Sequence, residues 1–212
     1  MPQSHCFFRL AILTRKKEFY LILASKSPRR QALLRQIGLP FRVHPAAGEE
    51  QVDSSLPPPA LVQQLARQKA EDVAREIGTE ELILAADTIV VLEDSVLGKP
   101  GSPAEAAQML RALSGRSHLV YTGFCLLQGS RCITDEVHAA VHFRPLTDRE
   151  IQAYVQTGEP MDKAGAYGIQ EMGALFVSHI EGDFYTVMGL PLCRLAQRLS
   201  AFGVFPLGGP CV

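Results

Sequence analysis

The chain has 212 residues, with 21 Lys and Arg against 22 Asp and Glu for a formal net charge of −1, and is 47% hydrophobic. This length can bury a core as one domain or two small lobes. The near-neutral charge excludes a general nucleic-acid binder, because no global basic field exists, so phosphate recognition must come from a local cluster.

The first 18 residues hold a short apolar run (7–13) followed by Arg15, Lys16 and Lys17. The run is too short to span a membrane, and its charges follow rather than precede it, unlike a signal peptide. Residues 1–18 are expected to form a poorly ordered extension, 19–204 a single folded domain, and 205–212 a Gly- and Pro-rich tail. Residues 20–24 (YLILA) predict a strand buried on both faces. Ser27 then offers an N-cap and Pro28 a first helical residue, for a helix reaching Ile37 and closed by Gly38. A second strand is expected over 41–44. After the prolines at 57–59, a helix runs to Ile77, its fourfold stripe reading Leu61, Leu65, Lys69, Val73 and Ile77.

A core strand follows at Leu82–Leu92. Ser102-Pro103-Ala104-Glu105 predicts a capping box opening a helix to Leu113, and Thr147-Asp148-Arg149-Glu150 a second box opening a helix that ends near Gly158. Between them, residues 119–128 and 131–143 read as two strands joined at Gly129-Ser130, the second turning Val137, Ala139, Val141 and Phe143 inward. Residues 174–180 and 184–188 predict a hairpin about Glu181-Gly182-Asp183, and a last helix covers 192–201. With strands and helices mixed throughout, the fold class is α/β with a mixed central sheet and flanking helices.

Five scattered cysteines (Cys6, Cys125, Cys132, Cys193, Cys211) form no CxxC pair. They suggest neither a zinc site nor a disulfide framework, but thiols of a reducing, cytoplasmic compartment. The GxxxxGK[ST], GxGxxG and HExxH patterns are all missing.

Three segments carry chemistry instead. In LASKSPRR (23–30), Arg29 and Arg30 fall in the first turn of a helix, where the macrodipole disfavours cations. A bound anion removes that conflict, and free backbone N–H groups with two serine hydroxyls make phosphate the natural one. The alternative is a solvated basic turn. Next, Asp87 and Thr88 interrupt the apolar run Leu82–Leu92. A buried carboxylate there is costly unless paired, hydrogen-bonded or bound to a divalent ion, so Asp87 reads as a metal ligand or an activator of water, with a satisfied core pair as the alternative. Glu49 and Glu50 can add a carboxylate, and Lys69 and Lys99 can reach the same cleft. In the third segment, GEPMDKAGAYGIQ (158–170), Asp162 and Lys163 precede a glycine-rich turn, and Gln170 offers a donor and an acceptor to a base edge.

Together with LGKP, LSGRSHLVYTG and GDFYTVMGLPL, these segments resemble the Maf family of nucleotide pyrophosphatases over residues 20–203. The resemblance implies a fold related to the inosine-triphosphate pyrophosphatases, with two lobes around a cleft. It further implies hydrolysis between the α- and β-phosphates assisted by a divalent cation, Mg2+ or Mn2+, and family members are often dimers. By resemblance, the catalytic carboxylate is Asp87 and the phosphate holders are Ser25 and Arg30. The family's lysines fall on Lys69, Lys99 and Lys163, and Glu50 keeps the last acid of a loop in which Ala47 loses a carboxylate. Arg29, Thr88 and Gln170 match the branch acting on dTTP and UTP. Two rivals stay open: a pyrophosphatase for modified or purine nucleotides, and a non-catalytic nucleotide-binding regulator of cell division. Neither a nucleic acid nor a membrane is an expected partner.

Overall fold

The apolar run after residue 20 becomes β1 (Leu21–Leu23), buried along its whole length. It pairs in parallel with β2 (Phe41–Val43) on one side and β3 (Leu82–Leu92) on the other. Parallel neighbours need crossovers, and these are α1 (Pro28–Gln36) and α2 (Pro58–Ile77). The computed structural model describes residues 21–48 and 51–208, so the expectations for 1–18, Tyr20, Glu49 and Glu50 lie outside the described residues.

The rest of the sheet is antiparallel. β5 (Ser117–Gln128) runs along β3, β6 (Arg131–Phe143) along β5, and β7 (Val177–Gly182) along β6. The order is β2-β1-β3-β5-β6-β7, with the short β4 (Ser95–Leu97) folding back onto β3. Helices α3 (Pro103–Leu113), α4 (Asp148–Gln156), α5 (Phe184–Val187) and α6 (Leu192–Leu199) complete the expected mixed α/β architecture.

Alternation along the strands sorts the core into layers. Leu82, Leu84, Ala86, Phe124 and Leu126 pack on one face against Leu33 and Leu34 of α1 and Leu195 and Leu199 of α6. Ile83, Ala85, Cys125 and Leu127 face the other way, under Ala66, Ala70 and Val73 of α2. Beyond them, Val90, Val120, Val141 and Phe143 join α3 and α4 in a third cluster.

Strand β3 is served on one edge by β5 from Ile83 to Val91. On its other edge β1 reaches only Leu84 and β4 starts only at Val90. Residues 85–89 therefore have no strand on that edge among the described residues, and the interruption carries Asp87 and Thr88.

Several local expectations are corrected. Residues 184–188 are not the second arm of a hairpin. The Asp183 carboxylate accepts from the N–H of Tyr185 and Thr186 and caps α5, so the chain turns from strand into helix. The strand expected over 174–180 starts only at Val177, after a 3-10 turn at Met172–Phe176. At Ser102 only half the capping box forms, because Glu105 Oε2 accepts from Gly101 rather than from Ser102; at Thr147 both halves are present. Ile77, expected on the apolar stripe, is 42% exposed at the end of α2.

Candidate active site

The interruption beside β3 opens into a cleft of about 870 Å3. Its walls are the turn from β1 into α1, the inner face of α2, β3 itself and the loops after β4 and α5. A ligand crevice beyond the carboxyl end of a parallel strand is a general property of such sheets.

The β1–α1 turn is built as its sequence requires. Ser27 caps α1, with Oγ accepting from the Arg30 N–H at 3.4 Å, and Pro28 opens the helix. Ser25 is buried, and its Oγ accepts from the Ser27 N–H at 3.2 Å. The Arg30 guanidinium is held on three sides. Nε donates to the Gly189 carbonyl at 2.8 Å, one terminal nitrogen to Ser25 Oγ and the other to Thr88 Oγ1, both at 3.1 Å. Two cations thus stand in the first turn of a helix with no acidic residue there.

Thr88 passes the contact onward. Its Oγ1 lies 2.9 Å from Thr122 Oγ1, which donates to the Thr186 carbonyl at 2.8 Å. A hydroxyl has one hydrogen, so the bonds run in one direction: Arg30 to Thr88, Thr88 to Thr122, Thr122 to the backbone of α5. Gly189 closes the ring with φ +99°, and a Cβ there would stand 3.3 Å from Thr88 Oγ1. Thr122 and Gly189 were not singled out from the sequence. Their only signal is membership of the YTG and MGLP strings.

Asp87, one residue before Thr88, points to the opposite face, toward α2. Its Oδ1 accepts from the Lys69 ammonium, and both side chains are mostly shielded from solvent. The lysine that interrupts the apolar stripe of α2 is thus the counter-ion of the carboxylate that interrupts β3. Gly123 lies opposite Asp87 in register on β5, directly under α2. A Cβ at Gly123 would stand 2.5 Å from the Val62 carbonyl group.

Lys99 follows β4 and lines the cleft with Arg29 and Asp162. The carbonyl of neighbouring Gly98 accepts from the Gly165 N–H at 3.0 Å, tying that loop to the glycine-rich segment. Burial opposes ionisation of Asp162, but the Lys163 hydrogen bond and charge, with that of Arg29, hold its carboxyl below the usual range. Among the described residues the cleft wall carries five cations (Lys26, Arg29, Arg30, Lys69, Lys99) and two carboxylates (Asp87, Asp162). This is a local positive field in a chain of net charge −1.

Two expected site residues sit apart. Lys163 is buried beside a small cavity of about 40 Å3 that Arg29 also lines. Its ammonium donates to the Glu159 carbonyl at 2.6 Å and to Asp162 at 2.9 Å, with Glu171 at 3.4 Å. Gln170 is exposed and lines neither cavity, although Ile169 before it lines the smaller one. Glu159 organises this segment, accepting from Tyr154 Oη and from the Met172 and Gly173 N–H groups.

A mixed sheet with one interrupted edge, gathering five cations and a helix N-terminus around two carboxylates, defines a binding fold for a multiply charged anion. The chain belongs to the Maf family, whose model, described as Maf-like protein, matches residues 20–202. It is 55% identical over 186 residues to the dTTP/UTP pyrophosphatase of Moorella thermoacetica, covering 87% of this chain and 95% of that one. It is 52% identical to the dTTP/UTP pyrophosphatase of Halalkalibacterium halodurans, covering 86% and 96%. Among solved structures, a HAM1 protein from Coxiella burnetii superposes with a TM-score of 0.49 at 18% identity, covering 86% of this chain and 99% of that one.

Proposed function

We propose that this chain hydrolyses dTTP and UTP, and modified pyrimidine nucleotides of the same shape, to the nucleoside monophosphate and pyrophosphate. One observation carries the reading: the Lys69–Asp87 pair stands in the cleft that also holds the cationic first turn of α1. A triphosphate supplies the anion that turn lacks. The names of the two relatives support the same substrates.

In this mechanism the β- and γ-phosphates lie against Ser25, Arg30 and the N–H groups of α1, with Lys69 and Lys99 spreading the remaining charge. Asp87 accepts a proton from water as its oxygen attacks the α-phosphorus. The bond from that phosphorus to the bridging oxygen breaks, and pyrophosphate leaves with the electron pair. Arg30, fixed through Ser25, Gly189 and Thr88, needs no reorganisation as charge develops.

The donor set fits a divalent cation carried in with the substrate. A carboxylate offers about four lone-pair sites, so Asp87 can keep Lys69 and still meet Mg2+ or Mn2+, which takes one or two carboxylates plus substrate phosphates. By resemblance, Glu50 would be the second ligand. Bound there, the ion neutralises phosphate charge.

Arg29, which lines both cavities, and Thr88 and Gln170 are the proposed base-selecting residues. A cytoplasmic homodimer completes the reading, since Cys125, Cys132 and Cys193 are free thiols and family members are often dimers. Among the described residues no helix is long and apolar enough to cross a membrane.

The test is pyrophosphate release from a panel of pyrimidine and purine triphosphates with Mg2+ or Mn2+. Turnover should favour dTTP and UTP, and Asp87→Asn should lose about 10²–10⁴-fold, the usual contribution of a positioned proton acceptor. Undiminished turnover in that variant would remove Asp87 from the mechanism.

A further inference from the structure

Away from the cleft, β6 and β7 bring three metal-binding side chains to one face of the sheet. His142 and His179 are direct cross-strand partners. Glu181 lies two residues beyond His179, so strand alternation turns it to the same side. Glu181 Oε1 stands 3.2 Å from His142 Nε2 and 3.6 Å from His179 Nε2. All three ligand atoms lie within 4.8 Å of one another. A tetrahedral ion with ligands at about 2.0–2.1 Å separates those ligands by about 3.3 Å, close to both measured edges.

The hydrogen bonds around the cluster set its chemistry. Ser178 Oγ donates its one hydrogen to the His142 carbonyl at 2.9 Å. At 3.3 Å from His179 Nδ1, the same oxygen can then only accept, so that nitrogen carries the ring proton. Neutral His179 is thereby left with a lone pair on Nε2, on the side facing Glu181. Fixing the ring tautomer through the far nitrogen is how metal-binding histidines are oriented. His142 Nε2, also facing Glu181, is shielded from solvent and makes no hydrogen bond. Two acceptor atoms, Glu181 Oε1 and His179 Nε2, thus converge beside His142 Nε2, and with His142 protonated on Nδ1 the point favours a cation.

We propose that His142, His179 and Glu181 form a binding site for a zinc-class divalent cation (Zn2+, Co2+ or Ni2+), separate from the nucleotide cleft. Two imidazoles and one carboxylate suit these ions and not Mg2+. Three ligands leave a fourth position for water. The two rings are stacked, with centroids 3.8 Å apart at 11°, so the exposed His179 ring tilts out of the stack to aim its lone pair at the ion. A bound ion clips β7, the last strand of the sheet, to β6. Because β7 leads through Gly182 into Asp183 and α5, the clip also anchors the segment whose Thr186 carbonyl ends the chain of bonds from Arg30.

The test uses the full chain without an affinity tag, cleared of metal by chelator and titrated with Zn2+ by calorimetry and with Co2+ by visible absorption. One equivalent of either ion should bind at this site. His179→Ala and Glu181→Gln, both at exposed positions, should weaken that binding at least about 10-fold, and Ser178→Ala by about 10–100-fold through loss of ring orientation. Asp87→Asn and His138→Ala should leave it unchanged, the latter removing an exposed histidine elsewhere on β6. Circular dichroism confirms that each variant is folded. No saturable binding, or binding unmoved in both His179→Ala and Glu181→Gln, overturns the proposal.

Discussion

Gly123→Ala tests whether the site depends on how closely α2 lies on the sheet. The added methyl would stand 2.5 Å from the Val62 carbonyl carbon and oxygen and 2.8 Å from the Gln63 nitrogen. These are backbone atoms of a 20-residue helix, so no side-chain rotation relieves the contact. Restoring an ordinary separation of about 3.5 Å moves helix and strand apart by roughly 1 Å. Overpacking of this kind costs about 1–3 kcal/mol, and each kcal/mol lowers the melting temperature of a chain this size by about 2–4 °C. The same shift carries Lys69 away from Asp87, and a misplacement of about 1 Å in a catalytic constellation costs on the order of 10²-fold in rate. Thermal unfolding and kcat/KM for dTTP measure the two effects. A variant as stable and as active as the parent would show that Gly123 does not set the height of α2.

Lys69→Met should reduce kcat/KM at least about 10-fold by leaving Asp87 uncompensated, and the loss should shrink when Asp87 is already Asn; full additivity in that cycle would deny the coupling. Burial, then the charge of His142, lowers the pKa of His118 to about 4 from its ordinary 6.5. The unfolded chain therefore takes up that proton first. Stability should fall as pH drops from about 6.5 to about 4, with a slope of up to about 1.4 kcal/mol per pH unit. Urea midpoints against pH should show this slope flattened in His118→Gln, and an identical profile would assign the acid sensitivity elsewhere. Asp183→Ala removes the cap of α5, whose carboxylate accepts from Tyr185 N, Thr186 N and Thr186 Oγ1. It should cost about 1–2 kcal/mol in urea unfolding.

Much of the fold was legible because local signals agreed with tertiary need. The 11-residue run of β3, the proline start of α2 and the Thr147 box each appear within a residue or two of expectation. The failures came where a side chain or a remote contact decided. Phe184-Tyr185-Thr186-Val187 has strand-forming composition, yet the Asp183 cap and the hold of Thr122 on the Thr186 carbonyl make it helical. The three-residue β4 escaped notice because its turn rests on Glu93 at φ 55°, a conformation that composition does not announce. Within the site, the oddities of charge were readable: Asp87 in an apolar strand, Lys69 in an apolar stripe, arginines at a helix start. The neutral connectors Thr122, Gly123 and Gly189 were not, since their importance lies in register and clearance rather than in residue type.

The interruption beside β3 has a consequence for the protein when it holds nothing. Along residues 85–89 one row of backbone amides and carbonyls meets no strand among the described residues, a condition usual at the rim of a sheet but here two strands in from β2. Such a row must be met by solvent, ligand or another extended chain. The β1–α1 turn, α2 and the loop after β4 line the cleft beside this row, so the residues that shape the site for a ligand also flank the open edge of the sheet. Recognition of a ligand and cover for an open stretch of sheet therefore fall to the same few residues.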